Sequence, residues 1–146
     1  MRRFLYDTNV FVYALGGPSA HREPCRRVLS MAEGGQLRGE ACVELVQEFA
    51  HQRHRQTRQR DAAARGAERI ARACILHPLE AEDLPLALRL FAATPGLHCR
   101  DACFAAVALN RGIDVILSAD RAFDAVGGLQ RVDPVDEAAV AALSYT

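Results

Sequence analysis

Short apolar runs alternate along this chain with longer stretches whose apolar residues recur at helical spacing. The first run, Phe4-Leu5-Tyr6, is continuous in the way a strand buried on both faces requires, and Asp7-Thr8-Asn9 after it is turn and cap chemistry. Val10 to Leu15 reads as a first helical stretch, broken by Gly16-Gly17-Pro18. Ser19 to Glu33 follows as an amphipathic helix with Cys25, Val28, Leu29 and Ala32 inward and Gly34-Gly35 as its stop. Gln36 to Ala41 holds a short second strand around Leu37. From Cys42 the pattern is helical, with Val43, Val46, Phe49 and Ala50 on one stripe and Glu44 and Glu48 on a neighbouring face.

The second half repeats the alternation. Cys74-Ile75-Leu76 reads as a third strand ended by His77-Pro78, and Glu80 to Ala93 as a helix with Leu84, Ala87, Leu88 and Phe91 inward. Its acids Glu80, Glu82 and Asp83 suit the positive end of the helix macrodipole. Asp101 opens a helix with a small buried stripe of Ala102, Ala105, Ala106 and Leu109, stopping at Gly112. Asp114 to Leu117 is a fourth strand ending in Ser118-Ala119-Asp120. Leu129 to Val132 and Val135 to Leu143 complete the chain as a last strand and a short helix. Strand and helix in this alternation predict an α/β fold, a three-layer sandwich around a parallel sheet.

With half of its 146 residues apolar, the chain supports one compact domain spanning residues 1–146. No apolar run reaches bilayer length and no signal peptide is evident, so the expectation is a soluble cytoplasmic protein with no membrane partner. The five cysteines, odd in number and set in apolar periodic segments, predict buried thiols rather than a disulfide framework. Eighteen basic residues balance eighteen acidic ones, so any nucleic-acid contact must be local. The one basic concentration is Arg53 to Arg60, extended by Arg65, Arg69 and Arg72; read alone, a solvated face explains such a run better than nucleic-acid contact does. Every basic residue is arginine, which excludes Schiff-base chemistry and a P-loop lysine. His51 and His54 lack the third ligand a zinc site needs.

Asp7 sits where a strand hands over to a helix, a position that suits a helix cap and an active-site acid equally. Parallel strands present their C-terminal ends along one edge, which brings Asp120 to Asp7. The helix opened by Asp101 precedes a parallel strand and therefore starts near the same edge. Carboxylates gathered there oppose one another's ionisation, a conflict that a hard divalent cation resolves; oxygen ligands favour Mg²⁺ or Mn²⁺ over zinc. No GxSxG elbow and no evident cysteine–histidine pair offers a rival nucleophile. The residues thus point to metal-dependent hydrolysis of a phosphate ester.

The segments LYDTNVFVYAL, CVELVQEFAH, RDACFAAVAL and VILSADRAFDAV, in this order, resemble the PIN-domain family and, within it, the VapC-type toxins of bacterial toxin–antitoxin pairs. The resemblance runs from Phe4 to about Pro134. It implies a PIN-like ribonuclease, a cognate antitoxin that blocks the cleft, a homodimer, and an acid cluster holding Mg²⁺ or Mn²⁺ for in-line attack of water on RNA. By position it implies that Asp7, Glu48, Asp101 and Asp120 are the catalytic and metal-holding acids, with the Ser118 hydroxyl beside them. Glu44 competes with Glu48, whose neighbours Gln47 and Phe49 fit the family context. Where the family often carries a further acid this chain has Ala122, with Asp124 after Phe123 instead, which puts a second metal in question. Arg53, Arg55, Arg58 and Arg60 are the candidates for guiding the RNA backbone. A receiver-type phosphoacceptor resembles families that need a lysine, and a haloacid-dehalogenase-like phosphatase would need an acid where Asn9 stands. A non-catalytic PIN-like binding module is the alternative of another class.

Overall fold

A computed structural model describes residues 2–144. Five short strands, β1 (Leu5–Tyr6), β2 (Glu40–Cys42), β3 (Ile75–His77), β4 (Val115–Leu117) and β5 (Gln130–Val132), form one sheet in the order β3-β2-β1-β4-β5, every pair parallel. Helices α1 (Thr8–Leu15), α2 (Arg22–Glu33), α3 (Val43–Thr57), α4 (Arg60–Ala73), α5 (Leu84–Ala93), α6 (Cys99–Asn110) and α7 (Glu137–Ala141) flank it. The chain builds outward from β1 on one side, then returns to place β4 on the other. The strand order therefore reverses between β1 and β4, the place where an open α/β sheet leaves a crevice at its carboxyl edge.

Centrality explains the apolar character of β1 and β4. Phe4, Leu5, Tyr6, Val115, Ile116 and Leu117 are all buried, and Phe4, Tyr6 and Phe11 make successive ring contacts at 5.0 and 4.9 Å. Gly39 is obligatory beneath this cluster, because a Cβ there would stand 1.8 Å from the Tyr6 ring. On α6 the run from Ala105 to Ala108 is buried, small side chains letting the helix lie close to its neighbours.

Several local expectations change. The second strand begins at Glu40 rather than around Leu37, which is buried in the preceding loop; the third runs from Ile75 to His77. Helix α2 starts at Arg22, after a turn in which Ser19 Oγ accepts the His21 amide. The helix expected from Glu80 is split into a 3₁₀ turn, Ala81–Asp83, and α5. On α5 only Ala87 among the four expected inward residues is buried; Leu84, Leu88 and Phe91 are exposed. Val43 is exposed as well. Asp83 is more than a first-turn acid: it is buried, accepts the Glu80 amide in a capping box, and takes Asn110 Nδ2 at 2.9 Å and both Arg111 Nη atoms at 3.0 and 3.1 Å. Of the cysteines, Cys25 and Cys42 are buried, Cys74 and Cys103 half-buried, and Cys99 is exposed in the first turn of α6. The basic run is not one face: Arg58 ends α3 in the left-handed region at φ 59° and Arg60 begins α4. Among the described residues no helix is long and apolar enough to cross a membrane.

Candidate active site

Register fixes the first two members of the site. Tyr6 pairs with Leu117, so the next residues, Asp7 and Ser118, emerge side by side from β1 and β4. The Asp7 amide donates to the Leu117 carbonyl at 3.0 Å, and Ser118 Oγ donates to Asp7 Oδ2 at 2.6 Å. Asp7 Oδ1 accepts the Thr8 amide at 2.7 Å, so Asp7 does cap α1 while also facing the crevice. Asp120 caps the 3₁₀ turn that follows β4, with Oδ1 on the Ala122 amide at 2.9 Å and its own amide on Ser118 Oγ.

Two helices deliver the other acids. Asp101 lies in the first turn of α6, and Glu48 projects from the middle of α3. All four carboxylates line one cleft of about 300 Å³ together with Thr8, Asn9, Gln52, His98 and Arg100. Glu44, one turn earlier on α3, is off this cleft and accepts the Leu79 amide at 2.8 Å. Asp124 is also off it, an exposed acid paired with Arg131 at 2.8 Å.

Burial and mutual repulsion leave their mark on the acids. Asp7 is pushed up from 3.8 to about 7, chiefly by burial; the Ser118 and Thr8 hydrogen bonds oppose this, and the charges of Asp101 and Asp120 reinforce it. Asp101 is raised to about 6 by burial and then by Asp120, with Glu48 adding and His98 and Arg100 subtracting. Glu48 is held by three donors: Arg100 Nη1 at 2.7 Å and Gln52 Nε2 at 2.9 Å on Oε1, and Thr8 Oγ1 at 2.9 Å on Oε2. Among the described residues no group of three or more acidic, histidine or cysteine side chains is arranged so that it could hold a metal ion as it stands. The donor chemistry nonetheless suits a hard cation. Every acid offers carboxylate oxygen, two resist ionisation, and the buried Asn9 Oδ1 has no hydrogen-bond partner in the structure.

Arg100 is the member that pattern reading missed, since its pairing with Glu48 spans the gap from α6 to α3; its place beside Asp101 in a helix first turn was the only cue. Among the arginines expected to meet RNA, Arg55 lines a polar groove with Gln52, Gln56 and Arg100 that continues from Glu48. Arg53 instead donates to the Leu15 carbonyl and to Gln56, and neither Arg58 nor Arg60 lines the cleft or that groove.

A crevice at the switch point of a parallel sheet, walled by acids from two strand ends and two helices, defines the class. The PIN domain family model matches residues 4–129, and the chain belongs to that family. Among its relatives, Ribonuclease VapC7 of Mycobacterium tuberculosis is 35% identical over 129 residues, covering 88% of this chain and 89% of that protein. Ribonuclease VapC13 of the same organism is 29% identical, covering 88% of this chain and 98% of its own. Of the solved structures, Mycobacterium tuberculosis VapC20, described as a sarcin-ricin loop cleaving toxin, superposes with a TM-score of 0.70 at 18% identity, covering 85% of this chain and 95% of that one. DNA-bound VapBC from Salmonella typhimurium gives 0.70 at 15% identity, covering 92% and 99%. At these identities the structures establish the shared fold.

Proposed function

We propose that this chain is a VapC-type toxin, an endoribonuclease that hydrolyses RNA phosphodiester bonds with Mg²⁺ or Mn²⁺ in the cytoplasm, and that a cognate antitoxin restrains it. The observation that carries the reading is the gathering of Asp7, Glu48, Asp101 and Asp120 in one cleft. Similarity to proteins named VapC ribonucleases supports it. On this reading Asp7, Asp101 and Asp120 would hold the ion, with Glu48 joining them directly or through water. Bound there, a divalent cation would lower the pKa of a water and neutralise charge on the phosphodiester.

The chain's own residues set the stage for that chemistry. Ser118 and the Thr8 amide fix the Asp7 carboxylate, and the Ala122 amide fixes Asp120. Arg100 and Thr8 orient Glu48. Arg55 and the uncommitted N–H groups of Arg100 supply positive charge along the groove for the flanking phosphates. The assembly that goes with this reading is a homodimer.

The test is cleavage of a labelled single-stranded RNA by the purified protein, freed of any partner, in Mg²⁺ or Mn²⁺ and in EDTA. Cleavage that needs the metal and is abolished in a folded Asp101→Asn variant is expected. Equal cleavage in EDTA, or full activity in the variant, would overturn the reading.

A further inference from the structure

Behind the Glu48–Arg100 pair lies a second cavity of about 360 Å³, between α3 and α6, that the acid cleft does not account for. Its chemistry differs from that of the cleft. Leu79, Phe104, Val107 and Cys103 make apolar walls that offer no partner to a phosphate. Gln47 and His51, one helical turn apart on α3, also line it; both are exposed, neither side chain is hydrogen-bonded in the structure, and His51 lines the adjoining polar groove as well. Glu44 also lines it, but its carboxylate is occupied by the Leu79 amide. Glu48 and Arg100 line both this cavity and the cleft, so a chain bound with its phosphate at the acids has this opening beside it.

We propose that this cavity receives one unstacked nucleobase of the RNA, next to the phosphodiester held at the acid cleft, and that Gln47 and His51 read its edge. The proposal rests on the ribonuclease reading and gives it a source of sequence preference. Apolar walls with a few polar groups at the rim are what a base requires, a flat apolar body with a hydrogen-bonding edge. The volume lies at the small end of ligand pockets, enough for a base and far too little for a duplex. The substrate that fits is therefore single-stranded or a loop. The polar groove lined by Arg55, Gln52 and Gln56 opens from the same Glu48–Arg100 junction and offers a path for the backbone beyond it.

The experiment is a two-way cycle on the full-length protein. Cleavage ends are first mapped on a single-stranded RNA library to find the favoured base beside the cut. The kcat/KM of wild type and of Cys103→Leu, which narrows the cavity, is then measured on the favoured oligonucleotide and on one abasic at that position. Removing the base and narrowing the cavity should each cost about tenfold, and together still about tenfold, because they delete the same contact. Losses that multiply to about a hundredfold, or an unchanged preference in Cys103→Leu, would overturn the proposal. Gln47→Ala, a change at an exposed position, carries the same cycle if Cys103→Leu fails to fold. Binding of 2-aminopurine-substituted RNA in EDTA separates the two readings. If wild type binds and brightens the probe at one register, as unstacking the base requires, Gln47→Ala loses that brightening, and no metal gives cleavage, the ribonuclease reading fails while the base site stands. A fluorescence change that no variant alters sinks the base site alone.

Discussion

Asp7→Asn should make the protein more stable at pH 8 in the absence of divalent cations. The Asp7 carboxyl titrates near 3.8 when free and at about 7 in the fold, so above pH 7 the folded protein carries a buried charge that costs more than the same charge in the unfolded chain. Below about pH 3.8 both states hold the proton and the site is neutral in effect. Between the two values the unfolded chain has released its proton and the folded one has not, so stability falls as pH rises through this window and is flat above it. A gap of about three pH units corresponds to ~4 kcal/mol at its upper bound. Asparagine removes the charge but does not keep every contact: its Oδ1 can still accept the Thr8 amide, whereas Ser118 Oγ already accepts from Asn9 Nδ2 and the Asp120 amide, so the hydrogen bond from Ser118 to position 7 is lost. Allowing for that loss, for relaxation and for water entry, the expected gain is about 1 to 3 kcal/mol at pH 8, or roughly 3 to 9 °C in Tm. Urea and thermal unfolding of both proteins in EDTA from pH 3.5 to 9 would read the difference, which cancels every shared group that does not sense the Asp7 charge, leaving Asp7 and its coupling to Asp101 and Asp120. Adding Mg²⁺ or Mn²⁺ should narrow or invert the gap, since only the wild type keeps the ligand. Equal stability at pH 8 in EDTA, or a difference that does not grow between pH 4 and 7, would refute the reasoning.

Asp83→Asn should destabilise the fold by about 3 kcal/mol at pH 7, by leaving the half-buried Arg111 guanidinium without its partner. Burial opposes ionisation of Asp83, but hydrogen bonds from Arg111, Asn110 and the Glu80 amide outweigh it and lower the group to about 2. The difference from wild type in urea unfolding should therefore be full above about pH 4 and shrink as pH falls toward 2; a pH-independent difference would count against it. Gly39→Ala should cost about 3 kcal/mol or more, because the added methyl meets the buried Tyr6 ring beneath the central strand, and an unchanged denaturation midpoint would show that the ring can move aside.

Local chemistry made the central strands and the first acids readable. A continuous apolar run followed at once by Asp-Thr-Asn, and another ending in Ser-Ala-Asp, encode strand ends within a few residues, and parallel pairing then puts Asp7 and Asp120 on one edge. What the pattern left open lies in contacts between distant segments. The stripe of Leu84, Leu88 and Phe91 is apolar at helical spacing, yet periodicity shows that a face is apolar without saying what covers it, and in the structure these three side chains are exposed. Asp83 looked like an ordinary first-turn acid because its decisive partner is Arg111, at the end of the next helix. Glu44 and Glu48 lie on almost the same helical face; one turn of rise along α3 separates the cleft from the Leu79 loop, and only the placement of that loop distinguishes them.

The balance of charge bears on how RNA could reach the proposed centre. The chain has no net charge to draw in a polyanion, and four carboxylates line the cleft where the scissile phosphate would have to sit. Two unit charges about 4 Å apart at an effective dielectric near 20 repel by roughly 4 kcal/mol, so a phosphate facing several ionised carboxylates would be excluded from the cleft. Asp7, raised to about 7, relieves part of this because it is only about half ionised near neutrality; Asp101, raised to about 6, is mostly ionised there and adds little, and Arg100 relieves another part by pairing with Glu48. Neither suffices for turnover, because protonated acids make poor ligands and Arg100 is a single charge. On the proposed reading Asp7, Asp101 and Asp120 would hold a divalent cation whose charge would offset the remaining repulsion, while Arg100, bound to Glu48 through Nη1, would turn its other N–H groups to a phosphate. The Glu48–Arg100 pair stands at the meeting point of cleft, groove and apolar cavity, so the same contact that orients Glu48 also sets where the positive charge faces the RNA.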